Sequence, residues 1–129
     1  MGTACQSDAV STTPEPQFAE LTRLMREFTA ERDWERFHDP KSLILALVGE
    51  VGELAELFQW VPADEAVASV EDPSRRQRVS EELADVQLYL VRLADVLGID
   101  LAAAAQAKLE AGRSRFPAGE FRGVAPEKA

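Results

Sequence analysis

The chain has 129 residues, the size of a single domain, and 46% of them are hydrophobic, which is enough for a modest core. Its formal net charge of −9 at pH 7 disfavours nucleic acid or an anionic membrane as the main partner. No apolar run approaches the roughly 20 residues of a membrane span, and the first residues lack the features of a signal peptide. Cys5 is the only cysteine, so neither a disulfide framework nor a cysteine metal site is expected. We therefore expect a cytoplasmic protein.

Apolar residues recur at helical spacing along the body of the chain, with almost no strand-like alternation, which predicts an all-α fold. Both ends are rich in small polar residues and proline. We therefore expect a flexible N-terminal tail over 1–16, a helical domain over 17–116 and a flexible C-terminal tail over 117–129.

Helix start and stop signals divide this domain. The predicted helices cover 16–34, 40–60, 74–97 and 100–114, with a weaker segment before the third. Asp39 and Pro40 form an N-cap and first-turn pair, Gly98 is a natural stop, and Asp100 is a natural cap. Four helices with short connections predict an antiparallel four-helix bundle, a fold that commonly builds metal or cofactor sites between facing helices.

Acidic residues recur at a spacing of three in both long helices. On a helical wheel of the second helix, Glu50 falls within the apolar arc, Glu53 borders it, and Glu56 points outward. The third helix repeats the pattern, with Glu82 within its apolar arc and Asp85 at the edge. Each helix is therefore expected to contribute one acidic pair to the inside of the bundle.

Carboxylates that converge in a partly desolvated space repel one another and require positive charge. Lys41, at the start of the second helix, is the only basic residue of that helix. Hard divalent cations, Mg²⁺ with Mn²⁺ as a substitute, prefer oxygen ligands. A di-iron site would need Glu-x-x-His pairs, and His38, the only histidine, lies outside both helices. The pattern favours a Mg²⁺ site, with ordinary solvated acidic faces as the alternative.

Glu50-x-x-Glu53 followed by Glu82-x-x-Asp85 resembles the signature of the all-α nucleoside triphosphate pyrophosphohydrolases, the MazG-like superfamily. The resemblance runs from the first helix to Pro117 and is greatest to the branch that acts on dCTP. It implies Mg²⁺-dependent hydrolysis of dCTP, or of a C5-modified dCTP, to the monophosphate and pyrophosphate. The same four carboxylates would be catalytic and would hold the metal. The resemblance also implies a homotetramer, a dimer of dimers with pockets at subunit contacts, and a role in cleansing the nucleotide pool.

The resemblance further assigns side chains to the substrate. Those expected at the nucleoside are Trp34, Phe37, His38, Trp60 and Tyr89. Those expected at the phosphates are Lys108, Arg113 and Arg115. Without the resemblance, such aromatic residues at helix ends are more often core or interface anchors, and cations near a helix C-terminus are ordinary solvated residues.

Two positions depart from the pattern of the family. Met25 stands where the family has a histidine in the first helix, and Gly112 replaces an asparagine of the C-terminal motif. The base preference is therefore open, with dUTP or a broad range of non-standard deoxynucleotides as alternatives to dCTP. A non-catalytic helical interaction module is the alternative from another functional class.

Overall fold

A computed structural model describes residues 14–127, with side chains from residue 17 onward. The helices are α1, Pro14–Glu31; α2, Pro40–Glu56; α3, Pro73–Val96; α4, Leu101–Arg115; and the short α5, Ala118–Phe121. Short 3₁₀ turns lie over Glu35–Phe37, Ala63–Glu65 and Ala68–Glu71. No strand occurs within the described residues, and the predicted all-α fold is confirmed.

The predicted limits of the domain stay predictions. All but the last three residues of the expected tail over 1–16 lie outside the described residues, and those three begin α1. The expected C-terminal tail contains α5. Within residues 14–127, none of the helices combines the length and the apolar character that crossing a membrane requires.

Aspartate side chains set the helix starts, as the sequence predicts for α2 and α4. The carboxylate of Asp39 accepts a hydrogen bond from the backbone N–H of Ser42 at 2.9 Å and another from the Ser42 hydroxyl at 2.6 Å. Asp100 accepts from the backbone N–H of Ala103 at 3.0 Å. Each carboxylate satisfies an N–H group that has no partner within its helix, which fixes where the helix begins.

The first helix ends at Glu31, before the predicted end at Trp34, because the chain reverses there. Asp33 adopts a left-handed conformation, with φ of 52°. Its N–H donates to the carbonyl of Ala30 at 3.1 Å, and the N–H of Trp34 donates to the carbonyl of Thr29 at 3.0 Å. These two bonds form the closing pattern that commonly ends a helix, and they turn the tryptophan back toward α1.

The second helix also stops before its predicted end at Trp60. Its last turn tightens to i to i−3 hydrogen bonds, from Leu57 to Leu54 at 3.2 Å and from Phe58 to Ala55 at 3.0 Å. Such tightening satisfies the last carbonyls of a helix and ends it. The tryptophan therefore lies in a turn outside the helix.

Gly98 ends α3 as predicted. Its φ of 67° lies in the left-handed region that glycine adopts without strain. The N–H of Gly98 donates to the carbonyl of Asp95 at 3.1 Å, and the N–H of Ile99 donates to that of Ala94 at 2.8 Å. The chain can therefore turn directly from α3 into α4.

The helix α3 is central to the packing, since it lies against both α2 and α1, while α4 packs on α1. Among residues 17–127, the buried apolar ones are Leu43, Val91, Ala94 and Ala102. Large apolar residues of α2 are exposed, namely Ile44, Leu45, Val48 and Val51. A single chain therefore leaves one apolar face of α2 uncovered.

Arg75 ties the end of α2 to the start of α3. Its guanidinium donates to the carbonyl of Leu57 and, through Nε, to the hydroxyl of Ser69 at 3.2 Å. The same group lies 5.1 Å from the centre of the Phe58 ring. A carbonyl left over at the end of α2 is thus satisfied by a side chain from the first turn of α3.

Candidate functional site

Three of the predicted metal-binding carboxylates meet between α2 and α3. Glu50, Glu53 and Glu82 each present a carboxylate oxygen, and these oxygens all lie within 4.8 Å of one another. They meet because the i, i+3 spacing keeps Glu50 and Glu53 on one side of α2, next to α3. Glu56 is exposed, as the helical wheel predicts.

The polar atoms of this cluster are incompletely satisfied. Oε2 of Glu50 and Oε2 of Glu82 are buried without a hydrogen-bond partner among the described residues. The ion pairs formed within residues 14–127 include none of the three glutamates. A buried polar atom without a partner is costly and calls for an explanation such as a bound ion.

The environment of the cluster favours protonation in the absence of a cation. Burial, followed by the neighbouring carboxyl groups of Glu53 and Glu82, raises the pKa of Glu50 to about 7. Burial also raises the pKa of Glu82. All-oxygen donors with surplus negative charge and two unpartnered oxygens fit a hard divalent cation such as Mg²⁺.

Asp85, the fourth predicted ligand, lies outside this group of close oxygens. It follows Glu82 by one turn of α3 and is near enough for its charge to contribute to the raised pKa of Glu50. Its side chain lines a neighbouring cavity. Asp85 therefore connects the carboxylate cluster to that cavity.

The cavity has a volume of about 200 Å³ and lies between α1, the loop after it, and α3. Its lining residues are Met25, Phe28, Thr29, Trp34, His38, Asp85, Leu88 and Tyr89. Because pockets for drug-sized ligands measure about 300 to 1,000 Å³, this space suits a group the size of a nucleobase rather than a whole nucleotide. Three of the predicted nucleoside-binding residues, Trp34, His38 and Tyr89, thus share one cavity.

The turn that ends α1 explains how Trp34 reaches this cavity. Its indole packs edge-on against Phe28, with ring centres 5.6 Å apart and planes at 73°. Arg32 covers the same Phe28 ring, with its guanidinium carbon 3.8 Å from the ring centre. The contact between Phe28 and Trp34 is the apolar pair that often accompanies this type of helix end.

Two other predicted nucleoside-binding residues lie away from the cavity. Phe37 is 61% exposed and does not line it. Trp60 is 87% exposed and borders a separate hollow that Val61 and Arg75 also line. Within the described chain, the structure brings neither aromatic residue to the carboxylates.

The three predicted phosphate-binding cations, Lys108, Arg113 and Arg115, lie on the exposed part of α4. Arg113 pairs with Glu110 at 2.9 Å, and the guanidinium of Arg115 lies 5.2 Å from the centre of the Phe116 ring. None of the three lines the cavity or belongs to the carboxylate cluster. Their assignment to the phosphates stays a prediction.

A larger cleft of about 650 Å³ lies between α1, α3 and the start of α4. Charged residues that line it include Arg23, Arg26 and Asp95, and the lining contains no predicted site residue. The aromatic cavity is smaller, but Asp85, one of the four predicted metal ligands, is among its lining residues. Its aromatic and acidic lining, and not its volume, makes this smaller cavity the candidate functional site.

The sequence interpretation missed Arg92, which is buried on α3 and hydrogen-bonds to His38. Its signal is present in the sequence, as a lone cation in the apolar run YLVRLA. A charged residue within such a run is unusual, since charged residues are rarely buried without a partner. Met25, noted only as a departure from the family pattern, also lines the cavity.

The chain is similar to known proteins in both sequence and fold. Residues 46–126 match the sequence model of the MazG-like family. The chain is 46% identical to dCTP pyrophosphatase 1 of Mus musculus, with 96% of this chain and 76% of the mouse protein covered. It is 50% identical to dCTP pyrophosphatase 1 of Rattus norvegicus, with 89% and 68% covered. A pyrophosphatase from Archaeoglobus fulgidus DSM 4304 has the same fold, with a TM-score of 0.73, 38% identity, and coverage of 78% of this chain and 93% of the archaeal chain. The chain belongs to the MazG-like family.

Proposed function

We propose that the chain is a nucleotide pyrophosphohydrolase that converts dCTP, or a C5-modified dCTP, to dCMP and pyrophosphate with the help of Mg²⁺. The choice of dCTP is supported by the names of the mammalian relatives. The observation that carries the reaction class is the carboxylate cluster of α2 and α3, which Asp85 joins to a cavity of nucleobase size. A metal site next to a base-sized aromatic cavity is the arrangement that hydrolysis of a nucleoside triphosphate requires.

Charge explains the need for the cation. A triphosphate is strongly anionic and the chain carries a net charge of −9, so direct contact between phosphates and the cluster is repulsive. Glu50, Glu53, Glu82 and Asp85 are the residues that would hold Mg²⁺, or Mn²⁺ as a substitute. When bound, Mg²⁺ would neutralise charge on the phosphates and on the leaving pyrophosphate.

The protein residues supply binding and orientation. Trp34 and Tyr89 offer aromatic surface to the base within the cavity, and stacking on such surfaces is favourable for any base. Asp85 lines the cavity and lies one helical turn from Glu82, so it would lie between the base and the phosphates. We expect a water molecule to attack the α-phosphorus, with pyrophosphate as the leaving group.

A serine nucleophile is disfavoured by the hydrogen bonds of the candidate hydroxyl groups. The hydroxyl of Ser42 donates to its own N-cap residue, Asp39, at 2.6 Å. The hydroxyl of Ser80 donates to the carbonyl of Arg76 at 2.8 Å. Neither serine is paired with a histidine that could activate it, so direct attack by water is the simpler route.

We also propose that the protein is a homotetramer, a dimer of dimers, and acts in the cytoplasm to cleanse the nucleotide pool. The exposed apolar face of α2 supports association, because a large exposed apolar patch commonly marks an interface. The exposure of Trp60 supports a role beside a neighbouring subunit. Light scattering of the purified protein measures the mass of the assembly. Val48→Glu, on the exposed face of α2, should reduce this mass, whereas Val67→Glu, outside α2, should not. A monomeric wild-type protein would contradict the proposed tetramer.

The activity is tested with a panel of deoxynucleotides: dCTP, 5-methyl-dCTP, dUTP, dTTP and dATP, each with Mg²⁺. We expect the highest kcat/KM for dCTP or its 5-methyl derivative, with dCMP-type monophosphate and pyrophosphate as products. Preference for dUTP, or equal turnover of all, would replace dCTP by one of the alternatives. Release of orthophosphate and a diphosphate would overturn attack at the α-phosphorus.

Matched variants connect the activity to the cluster. Glu50→Gln removes one carboxylate of the cluster, whereas Glu56→Gln makes the same change at an exposed position of the same helix. We expect a loss of at least about a hundredfold in kcat/KM for the first variant, comparable to loss of a strong electrostatic contribution to the transition state, and no change for the second. No turnover of any nucleotide by the wild type would favour a non-catalytic helical module.

A further inference from the structure

Arg92 is a buried cation close to the aromatic cavity. It is 8% exposed and lies between the buried Val91 and the apolar Leu93 of α3. Its NH1 group is 3.3 Å from Oδ2 of Asp95, which compensates the buried charge. This side chain belongs neither to the carboxylate cluster nor to the cavity lining.

The second partner of Arg92 is the imidazole of His38. Nε of Arg92 donates to Nδ1 of His38 at 3.1 Å. A guanidinium has only donors and does not lose its proton in proteins, so Nδ1 must be the acceptor. The neutral ring therefore carries its proton on Nε2, because a proton on Nδ1 would set two donors against each other.

The surroundings of the ring agree with this assignment. Burial, followed by the positive charge of Arg92, lowers the pKa of His38, while Glu35 has the opposite influence. The backbone also holds the residue, since the N–H of His38 donates to the carbonyl of Glu35 at 3.0 Å. The imidazole is thus neutral near pH 7 and is held from two sides.

A network fixes Arg92 in turn. Asp95 accepts from Nε of Arg26 at 2.8 Å and from its NH2 group at 2.5 Å, and it also pairs with Arg92. The hydrogen bonds to Arg26 hold the pKa of Asp95 below its usual range. The carboxylate therefore stays ionised, and Arg92 keeps its position relative to α1 and the loop that follows it.

We infer that Arg92 is a positioning residue for nucleotide binding: it holds His38 in one tautomer, with Nε2–H as the only ring donor available to a ligand in the cavity. This inference rests on the proposed function, because the ligand in question is the base of the nucleotide. A fixed donor favours a base that presents a carbonyl oxygen or an unprotonated ring nitrogen. It disfavours a base that presents an N–H at that point, since two donors would then face each other.

The tautomer can be measured directly because His38 is the only histidine of the chain. In the wild-type protein labelled with ¹⁵N-histidine, we expect NMR spectra of one ring, with an unprotonated Nδ1 and a protonated Nε2. In Arg92→Met the two tautomers should mix. Arg26→Met is the matched control, since it removes another partner of Asp95 and leaves the bond to the imidazole intact.

Kinetics provide the second readout. Loss of one oriented hydrogen bond is worth about two- to tenfold in affinity, so we expect Arg92→Met to raise KM for dCTP by that factor with little change in kcat. In a His38→Ala background the same substitution should have no further effect. Arg92→Lys, which keeps the charge beside Asp95 and can still donate, should recover part of the loss.

The outcomes separate the inference from the proposed function. A wild-type spectrum with the proton on Nδ1, or additive effects of Arg92→Met and His38→Ala on KM, would overturn the role of Arg92. A wild-type proton on Nδ1 overturns the inference even if Arg92→Met does not fold. An absence of dCTP turnover, together with a single Nε2–H tautomer in the wild type that becomes mixed in Arg92→Met, would overturn the proposed substrate and leave the positioning of the ring by Arg92 supported.

Discussion

Glu50 and Glu82 meet between α2 and α3, and each has a buried carboxylate oxygen without a hydrogen-bond partner among residues 14–127. Two such oxygens side by side are unfavourable when both groups are ionised and no cation lies between them. The pair should therefore destabilise the metal-free protein at neutral pH, and a bound cation should relieve this effect. The next two predictions test the metal-free protein, and the third tests the effect of Mg²⁺.

Without divalent cations, the free energy of unfolding should decrease as the pH rises through about 7. The pKa of Glu50 is raised from its ordinary 4.5 to about 7 in the folded protein. The folded state therefore holds this proton more tightly, and the resulting stabilisation is complete below the unfolded pKa and is lost as the pH passes the folded pKa. Urea unfolding in EDTA between about pH 5 and about pH 8 measures it.

Glu50→Gln should flatten this pH dependence, because an amide does not ionise. At the alkaline end the variant should be more stable than the wild type, by on the order of 1 kcal/mol. Glu56→Gln, on the exposed face of the same helix, should follow the wild-type curve. Identical curves for Glu50→Gln and wild type would show that this carboxyl group does not carry the shift.

Mg²⁺ should stabilise the folded protein at neutral pH. At ten times the dissociation constant, a ligand that binds only the folded state adds about 1.4 kcal/mol to the free energy of unfolding. Glu82→Gln should abolish most of this gain, whereas Glu81→Gln, at the neighbouring exposed position, should retain it. Equal stabilisation of Glu82→Gln and Glu81→Gln by Mg²⁺ would place the ion elsewhere. Isothermal titration calorimetry should also show that protons are released when Mg²⁺ binds below about pH 7, because the carboxyl ligands must ionise.

The two tryptophans distinguish the two proposed aromatic contacts. Trp34 is 44% exposed and lines the cavity, while Trp60 is 87% exposed and borders another hollow. In a Trp60→Phe variant, addition of dCTP with Mg²⁺ should change the remaining fluorescence strongly, because a base in the cavity contacts that indole. In Trp34→Phe, the change in the fluorescence of Trp60 should be small. The reverse result would place the base at Trp60 and favour a pocket shared between subunits.

Asp39→Ala should destabilise the fold by about 1 kcal/mol, the usual cost of losing an N-cap. The carboxylate accepts two hydrogen bonds from Ser42 that start α2, the helix of Glu50 and Glu53. Asp64→Ala, in a 3₁₀ turn without a side-chain cap, should cost little. The midpoint of urea unfolding compares the two variants, and equal midpoints would remove the cap from the account of how α2 begins.

Local signals predict much of this fold. Asp39 and Asp100 cap helices and Gly98 ends one, as predicted. These signals can be recognised in the sequence because each depends on only a few neighbouring residues. The helix ends near Trp34 and Trp60 were predicted too far along the chain. Both depend on chain reversals that apolar periodicity does not encode, a left-handed residue in one case and a tightened last turn in the other.

The candidate site, like the fold, was predictable from the sequence only in part. The i, i+3 acidic pairs are visible in the sequence because helical geometry places them on one face. The bond between Arg92 and His38 joins residues 54 positions apart and depends on how α3 meets the loop after α1. No periodicity predicts such a contact. Phe37 and Trp60 are exposed and lie away from the cavity, so their predicted contacts with the nucleoside stay predictions.

The contact of Arg75 with the end of α2 bears on the choice of ion. By holding the Leu57 carbonyl and Ser69, this side chain closes one end of the helical pair that carries the carboxylates. If an ion binds the cluster, protein contacts would already hold the two helices together at this end. Ca²⁺ takes more ligands at longer distances, about 2.3 to 2.6 Å against about 2.0 to 2.1 Å for Mg²⁺. If these contacts resist widening of the helical pair, ionic size as well as charge would decide which cation the cluster accepts.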